Sequence, residues 1–176
     1  DIGSHVGTTA VMIGRLHPGV TIHAFEPSSY NYIFLLWNLI ENGMLGQVIP
    51  HHFALNAAGH SFVMEYAPDD STSTRALTMG KSWGDLPKIN ETVQAMQLGY
   101  FLRTCNINDV SFVKLDCEGC EYDLVPQHSM FFSKALHVVG EVHAWQMRPR
   151  GARLNDLAVA QTERMLCRRF RRTGER

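Results

Sequence analysis

Short apolar stretches alternate along this chain with longer stretches in which apolar residues recur at helical spacing. Residues 21–26, 110–116 and 136–142 are short apolar runs, which predicts buried strands. Helices are predicted over about residues 5–16, from Ser28 or Ser29 to Asn42-Gly43, over 97–106 and over 152–170. Because strands and helices alternate, the pattern predicts an α/β fold. Its sheet should be Rossmann-like, doubly wound and mostly parallel.

The middle of the chain is less regular. A strand is predicted near 48–55, interrupted by Pro50, and another over 61–66. Residues 68–87 are rich in Asp, Ser, Thr, Gly and Pro, which predicts a long loop. Such a loop is either a lid over a substrate or a disordered segment, and the sequence leaves both open. Within the second helix, the residues that share one face are Tyr30, Ile33, Phe34, Trp37 and Ile40.

Composition is typical of one globular domain, and we expect residues 1–176 to form it. Hydrophobic residues make up 45% of the 176 positions and the mean hydropathy is -0.13. No run of about 18 apolar residues exists, so no transmembrane segment is predicted. The net charge is only -1, but arginines concentrate near 168–172. Without interleaved aromatic residues, that cluster is better explained as the solvated end of a helix, and no nucleic-acid partner is predicted.

The first seven residues form a glycine-containing turn, and an acid follows the next strand. Gly3 and Gly7 follow Asp1, and Glu26 closes the strand at 21–26. This is how a Rossmann-type sheet holds an adenosine cofactor, because the carboxylate accepts the two ribose hydroxyls. The turn lacks the glycine spacing of dinucleotide sites. Asp1 would repel a pyrophosphate but would hold an ammonium, which indicates S-adenosylmethionine. The alternative for the turn alone is an ordinary strand-to-helix connection.

Three sequence blocks in order resemble the FkbM-type methyltransferase family. They are Asp1 to Gly7, then Ala24-Phe25-Glu26-Pro27 with Asn38 to Gly43, then Phe112 to Glu121. The resemblance runs from residue 1 to about residue 143. It implies a class I methyltransferase fold with S-adenosylmethionine as cofactor. It also implies O-methylation of a hydroxyl on a small-molecule or glycan acceptor, of sugar or secondary-metabolite type. Because the family's fold has a strand before Asp1 and a final strand pair, we expect the chain to be truncated at both ends.

The candidate site residues are the polar side chains and glycines at the predicted carboxyl ends of strands. The predicted cofactor-binding residues are Asp1, Gly3, Gly7, Glu26 and Asn56, although Asn56 is equally explained as a turn residue. The predicted catalytic candidates are Asp116, Glu118 and His143, since methyl transfer to a hydroxyl requires removal of its proton. Glu121 is predicted to cap the following helix and Lys114 to form an ion pair or pack. No metal site is predicted.

Two alternative functions are compatible with the same fold. A nicotinamide-dependent oxidoreductase on the same fold would need a phosphate-binding glycine turn that is missing. A non-catalytic interaction domain would need none of the predicted catalytic or cofactor-binding residues.

Cys117 and Cys120 form a C-x-x-C motif, which can indicate redox or zinc chemistry. With no further ligands at zinc spacing, we expect these cysteines to be small buried hydrophobic residues without a disulfide.

Overall fold

The computed structural model describes residues 1–67, 70–76 and 89–141. In these ranges helices and strands alternate at first and then give way to a run of short strands. The elements in chain order are α1 (Thr8–Leu16), β1 (Ile22–Phe25), α2 (Ser29–Glu41), β2 (Val48–His51), β3 (Ala54–Asn56), β4 (Phe62–Ala67), β5 (Asp70–Ala76), β6 (Ile89–Val93), β7 (Ala95–Gln97), α3 (Leu98–Thr104), β8 (Phe112–Leu115), α4 (Glu121–Gln127), α5 (Ser129–Lys134) and β9 (His137–Gly140).

Parallel strand pairs form the part of the fold that positions the site. Strand β1 pairs with β2, β8 pairs with β9, and β3 pairs with β7, all in parallel. Ile2 makes parallel bridges to both Phe25 and Leu115, so it stands between the first two pairs at their carboxyl ends. The mixed α/β class and the parallel pairing are therefore confirmed. A complete doubly wound sheet stays a prediction.

An antiparallel sheet in the order β5-β4-β6 corrects the predicted loop over 68–87. Strand β5 falls inside that stretch and pairs with β4, with Glu65 opposite Arg75. Its residues, Asp-Ser-Thr-Ser-Thr-Arg-Ala, are mostly polar and small, which is why composition indicated a loop. Pairing with β4 satisfies the backbone hydrogen bonds of these residues, and threonine is a residue that favours strands. The remainder of the predicted loop, residues 68–69 and 77–87, lies outside the described residues.

Two apolar clusters pack against the parallel strands. Successive residues of a strand point to opposite faces, and β1 divides its side chains accordingly. Ala24 belongs to a cluster with Leu35 and Leu39 of α2, whereas Phe25 belongs to one with Phe101 of α3. Consecutive residues of β1 therefore contribute to separate cores, and helices cover both.

Helix boundaries follow local backbone chemistry. Helix α1 starts at Thr8 rather than at the predicted residue 5, because Gly7 is its N-cap in a left-handed conformation with φ 84°. Helix α2 begins as predicted: Ser28 is the N-cap, and its hydroxyl accepts from the backbone N–H of Asn31 at 3.4 Å. It ends as predicted before Gly43, which has φ 66°.

The apolar stripe identified on α2 faces outward. The exposed fractions are 63% for Ile33, 55% for Trp37 and 58% for Ile40, whereas Leu35 and Leu39 on the other side are fully buried. The helix is apolar on more than one face, so periodicity located the helix without identifying its buried side.

Several predicted features lie outside the described residues. They are the helix over 152–170, the arginines at 168–172 and the end of the last predicted strand at residue 142. Within the described ranges, no helix combines the length and hydropathy needed to span a membrane.

Candidate functional site

The glycine turn lies between the carboxyl ends of β1 and β8. Backbone N–H groups of Gly3 and Ser4 both donate to the carbonyl of Phe25, at 3.1 and 2.9 Å. Gly3 has φ 80°, and a Cβ atom there would lie 1.8 Å from the carbonyl oxygen of Asp116. Only glycine lets the turn pass this close to the end of β8. At the predicted turn, three chain segments therefore lie so close together that a glycine is required.

Glu26 lies beside this turn and is almost completely buried, with 4% of its surface exposed. One carboxylate oxygen accepts the backbone N–H of His5 at 2.8 Å, and the other accepts that of Ser28 at 2.9 Å. Burial raises the pKa of Glu26 to about 7, and the backbone hydrogen bonds from Ser28 and His5 oppose that rise only in part. His5 adopts φ 52°, which turns its N–H toward the carboxylate. No sequence pattern indicated this contact.

Lys114 joins the glycine turn to two of the predicted acids. Its ammonium donates to the carbonyl of Gly3 at 2.6 Å and lies 3.3 Å from Asp1 Oδ1 and 3.4 Å from Asp116 Oδ2. The ion pair predicted for this lysine is present. The side chain of Asp1 is only 5% exposed, and neither of its oxygens accepts a hydrogen bond from a described residue. The side chain of Asp116 is 36% exposed, so it borders solvent.

The loop after β8 corrects one part of the prediction for the two cysteines: both are partly buried against the apolar cluster that contains Phe101, as expected, but they are not free thiols. Cys117 and Cys120 form a disulfide, with their Cα atoms 5.4 Å apart. That separation lies within the range that a disulfide spans. Positive φ angles at Glu118 and Gly119, 56° and 112°, fold the chain back so that the cysteines meet. Residue types and spacing alone do not reveal such a backbone reversal.

Glu121 has a structural role, and it was not among the predicted catalytic candidates. It is fully buried at the start of α4. Its carboxylate accepts the backbone N–H groups of Cys117 at 2.9 Å and Gly119 at 2.8 Å, so it holds the preceding loop.

The other candidate residues have different surroundings. Gly7 caps α1, and a Cβ atom there would lie 2.5 Å from Leu35 Cδ1, so its glycine is required for packing as well as conformation. Asn56 lies on β3, away from the β1–β2 pair, and its amide donates to the carbonyl of His60 and accepts from Gly59. His143 lies outside the described residues. The structure therefore brings together Asp1, Gly3, Glu26 and Asp116, while the roles of the others stay predictions.

A cavity of about 770 Å³ opens at the opposite, amino ends of the strands. Ile22, Phe112 and His137, the first residues of β1, β8 and β9, contribute to its wall, together with His23. The His23 ring is hydrogen-bonded to that of His51, with Nδ1 and Nε2 2.9 Å apart. Burial, followed by the charge of His23, lowers the pKa of His51 to about 4. Asp1 and Lys114 also line this cavity, but Gly3, Glu26 and Asp116 do not, so the cavity does not coincide with the predicted cofactor site.

One comparison with known proteins gives a match, and that match is to a family model. A family model described as the methyltransferase FkbM domain matches residues 1–161. No curated protein and no solved structure gives a significant match to the chain.

Proposed function

The chain belongs to the FkbM methyltransferase family, and we propose that it transfers a methyl group from S-adenosylmethionine to a hydroxyl oxygen. The acceptor would be a small molecule or glycan of sugar or secondary-metabolite type. The observation that carries the cofactor assignment is the meeting of the glycine turn with the buried carboxylate of Glu26 at one end of the sheet.

The residues present fit this cofactor. Each oxygen of Glu26 accepts one backbone N–H, and a carboxylate oxygen has room for a second donor such as a ribose hydroxyl. Asp1 offers a buried carboxylate whose Oδ1 is ion-paired with Lys114 at 3.3 Å and whose Oδ2 has no polar contact with a described residue, which suits an ammonium group at Oδ2. We assign Gly3 and Gly7 to the turn that shapes the site and Asn56 to the adenine side.

On the acceptor side, Asp116 is the proposed general base. S-adenosylmethionine, when bound, supplies an electrophilic methyl group. A hydroxyl attacks well only if its proton leaves as it reacts, and a half-exposed carboxylate accepts that proton. The Lys114 ammonium, 3.4 Å away, orients Asp116 through an ion pair. Glu118 and His143 are the other candidates for the same step.

The first test is ligand selectivity. S-adenosylhomocysteine should raise the melting temperature of the protein, and NAD should not, because the glycine turn lacks the spacing that a pyrophosphate requires. In calorimetry, Glu26→Gln should weaken S-adenosylhomocysteine binding roughly 10- to 100-fold, since charge-assisted hydrogen bonds contribute about 1.5–3 kcal/mol each. Stabilisation by NAD alone, or unchanged affinity in Glu26→Gln, contradicts the cofactor assignment.

A second prediction concerns the proton acceptor. Once an acceptor is found with a labelled methyl donor, Asp116→Asn should lower kcat by about 10²–10⁴-fold while cofactor affinity stays within a factor of two or so. Asp109→Asn, at a position before β8, is the matched control and should leave kcat unchanged. Normal turnover in Asp116→Asn would transfer the role of base to Glu118 or His143.

A further inference from the structure

The disulfide between Cys117 and Cys120 lies against the proposed cofactor site. A Cβ atom on Gly3 would be 3.2 Å from the Cα of Cys117, so the backbone of the C-x-x-C loop, residues 117–120, forms a wall of the glycine turn. The same loop follows Asp116 directly. Any change in its backbone therefore moves the turn and the proposed base together.

The disulfide encloses two residues with positive φ angles. Glu118 has φ 56°, a conformation that residues with a side chain seldom adopt, and Gly119 has φ 112°. Two backbone hydrogen bonds to Glu121 also hold the loop. The disulfide closes a covalent ring that contains Glu118 and Gly119. This ring is the covalent constraint that keeps Glu118 in its conformation.

Glu121 also provides a partner for the reduced form. Cys117 Sγ lies 3.4 Å from Glu121 Oε1. In the disulfide this sulfur carries no hydrogen, so the contact sets lone pairs of sulfur against a carboxylate oxygen. After reduction the thiol S–H donates to that oxygen. Both cysteines are half-buried rather than enclosed, so a thiol reagent can reach them.

We propose that the Cys117–Cys120 disulfide is a redox-active bond that sets the affinity of the cofactor site. A dithiol reductant attacks one sulfur as a thiolate and forms a mixed disulfide, and the other cysteine leaves as a thiol. The second thiol of the reductant then releases the first cysteine. The reductant becomes a disulfide, and Cys117 and Cys120 take up two electrons and two protons. The loop then relaxes and cofactor binding weakens. The link to binding rests on the proposed function.

The test uses the full chain with Cys105→Ser and Cys167→Ser, which leaves only the C-x-x-C pair to be counted. Treatment of the folded protein with dithiothreitol should raise the number of maleimide-reactive thiols from none to two. Amide hydrogen exchange at Cys117 and Gly119 should become faster. The dissociation constant of S-adenosylhomocysteine should rise at least about fivefold on reduction. Cys117→Ser combined with Cys120→Ser should match the reduced protein and ignore dithiothreitol.

The outcomes separate this inference from the proposed function. Equal affinity and equal exchange in the oxidised and reduced proteins would overturn it, as would a disulfide that stays intact in the folded protein. If neither form binds S-adenosylhomocysteine but exchange in the loop rises on reduction, the proposed function fails and redox control of the loop stands. As a control, Cys105→Ser alone, at an exposed free thiol, should change neither measurement.

Discussion

Glu26 shows how one residue can combine a structural role with the binding role proposed for it. Its carboxylate is buried, which disfavours its charge, yet two backbone N–H groups point at it from different segments. Those amides belong to the glycine turn and to the start of α2, so the carboxylate also fastens the two segments to each other. The residue was predictable from its place at the end of a strand. Its backbone partners were not, because the positive φ of His5 leaves no trace in the sequence.

Two residues with opposite pKa shifts predict an unusual pH profile. The pKa of Glu26 rises from 4.5 to about 7 on folding, so its stabilisation is complete below pH 4.5 and is lost as the pH rises through 7. The pKa of His51 falls from 6.5 to about 4, so its stabilisation is present above pH 6.5 and is lost as the pH falls through 4. Between pH 4.5 and 6.5 the two effects on the free energy of unfolding oppose each other, since Glu26 favours the folded state at lower pH and His51 favours it at higher pH.

Glu26→Gln should therefore expose the histidine effect. The variant's free energy of unfolding, measured by urea denaturation from pH 4.5 to 8, should fall more steeply toward acid than that of the wild type. The Glu26 contribution removed is on the order of 3 kcal/mol across the window. Glu41→Gln on the exposed end of α2 serves as the control. Parallel profiles for Glu26→Gln and the wild type would show that Glu26 titrates normally.

At the scale of elements, the glycine turn is the connection with least tolerance for change. Gly3→Ala would place its methyl group against the Asp116 carbonyl at a backbone φ of 80°. We expect a loss of roughly 2 kcal/mol or more in the free energy of unfolding, measured by urea denaturation. Gly19→Ala is the matched control, since nothing lies within 4 Å of a Cβ atom there. Similar denaturation midpoints for both variants would mean that the turn can move away from β8.

Elements with a strong local signal were predictable. Helix α2 has a serine cap, a long apolar run and a glycine after its end, and its bounds match the expectation. Strand β5 was missed because its polar residues owe their conformation to pairing with β4, a partner that no local pattern reveals. The outward stripe on α2 was ambiguous for a related reason: burial depends on which face the rest of the chain covers.

At the scale of the whole molecule, alternation of strands and helices correctly predicted parallel pairing, and the carboxyl ends of the strands correctly brought Asp1, Glu26 and Asp116 to one region. This worked because parallel strands with crossover helices place those ends at one edge. The disulfide escaped prediction because it depends on two backbone angles within a four-residue loop. The sequence thus indicated which of these residues come together better than it indicated the contacts between them.

The bridging position of Ile2 also bears on how the protein is made. Lys114 and Gly3, which meet there, are 111 positions apart in the chain. A ribosome adding about 5–20 residues per second needs roughly 6 to 22 s to cover that distance. During this interval the glycine turn has been synthesised, but β8, against which it packs, has not. Pairings between distant segments also form slowly in a complete chain. The glycine turn is therefore synthesised well before the strand that completes it, and in this interval a chaperone has time to act.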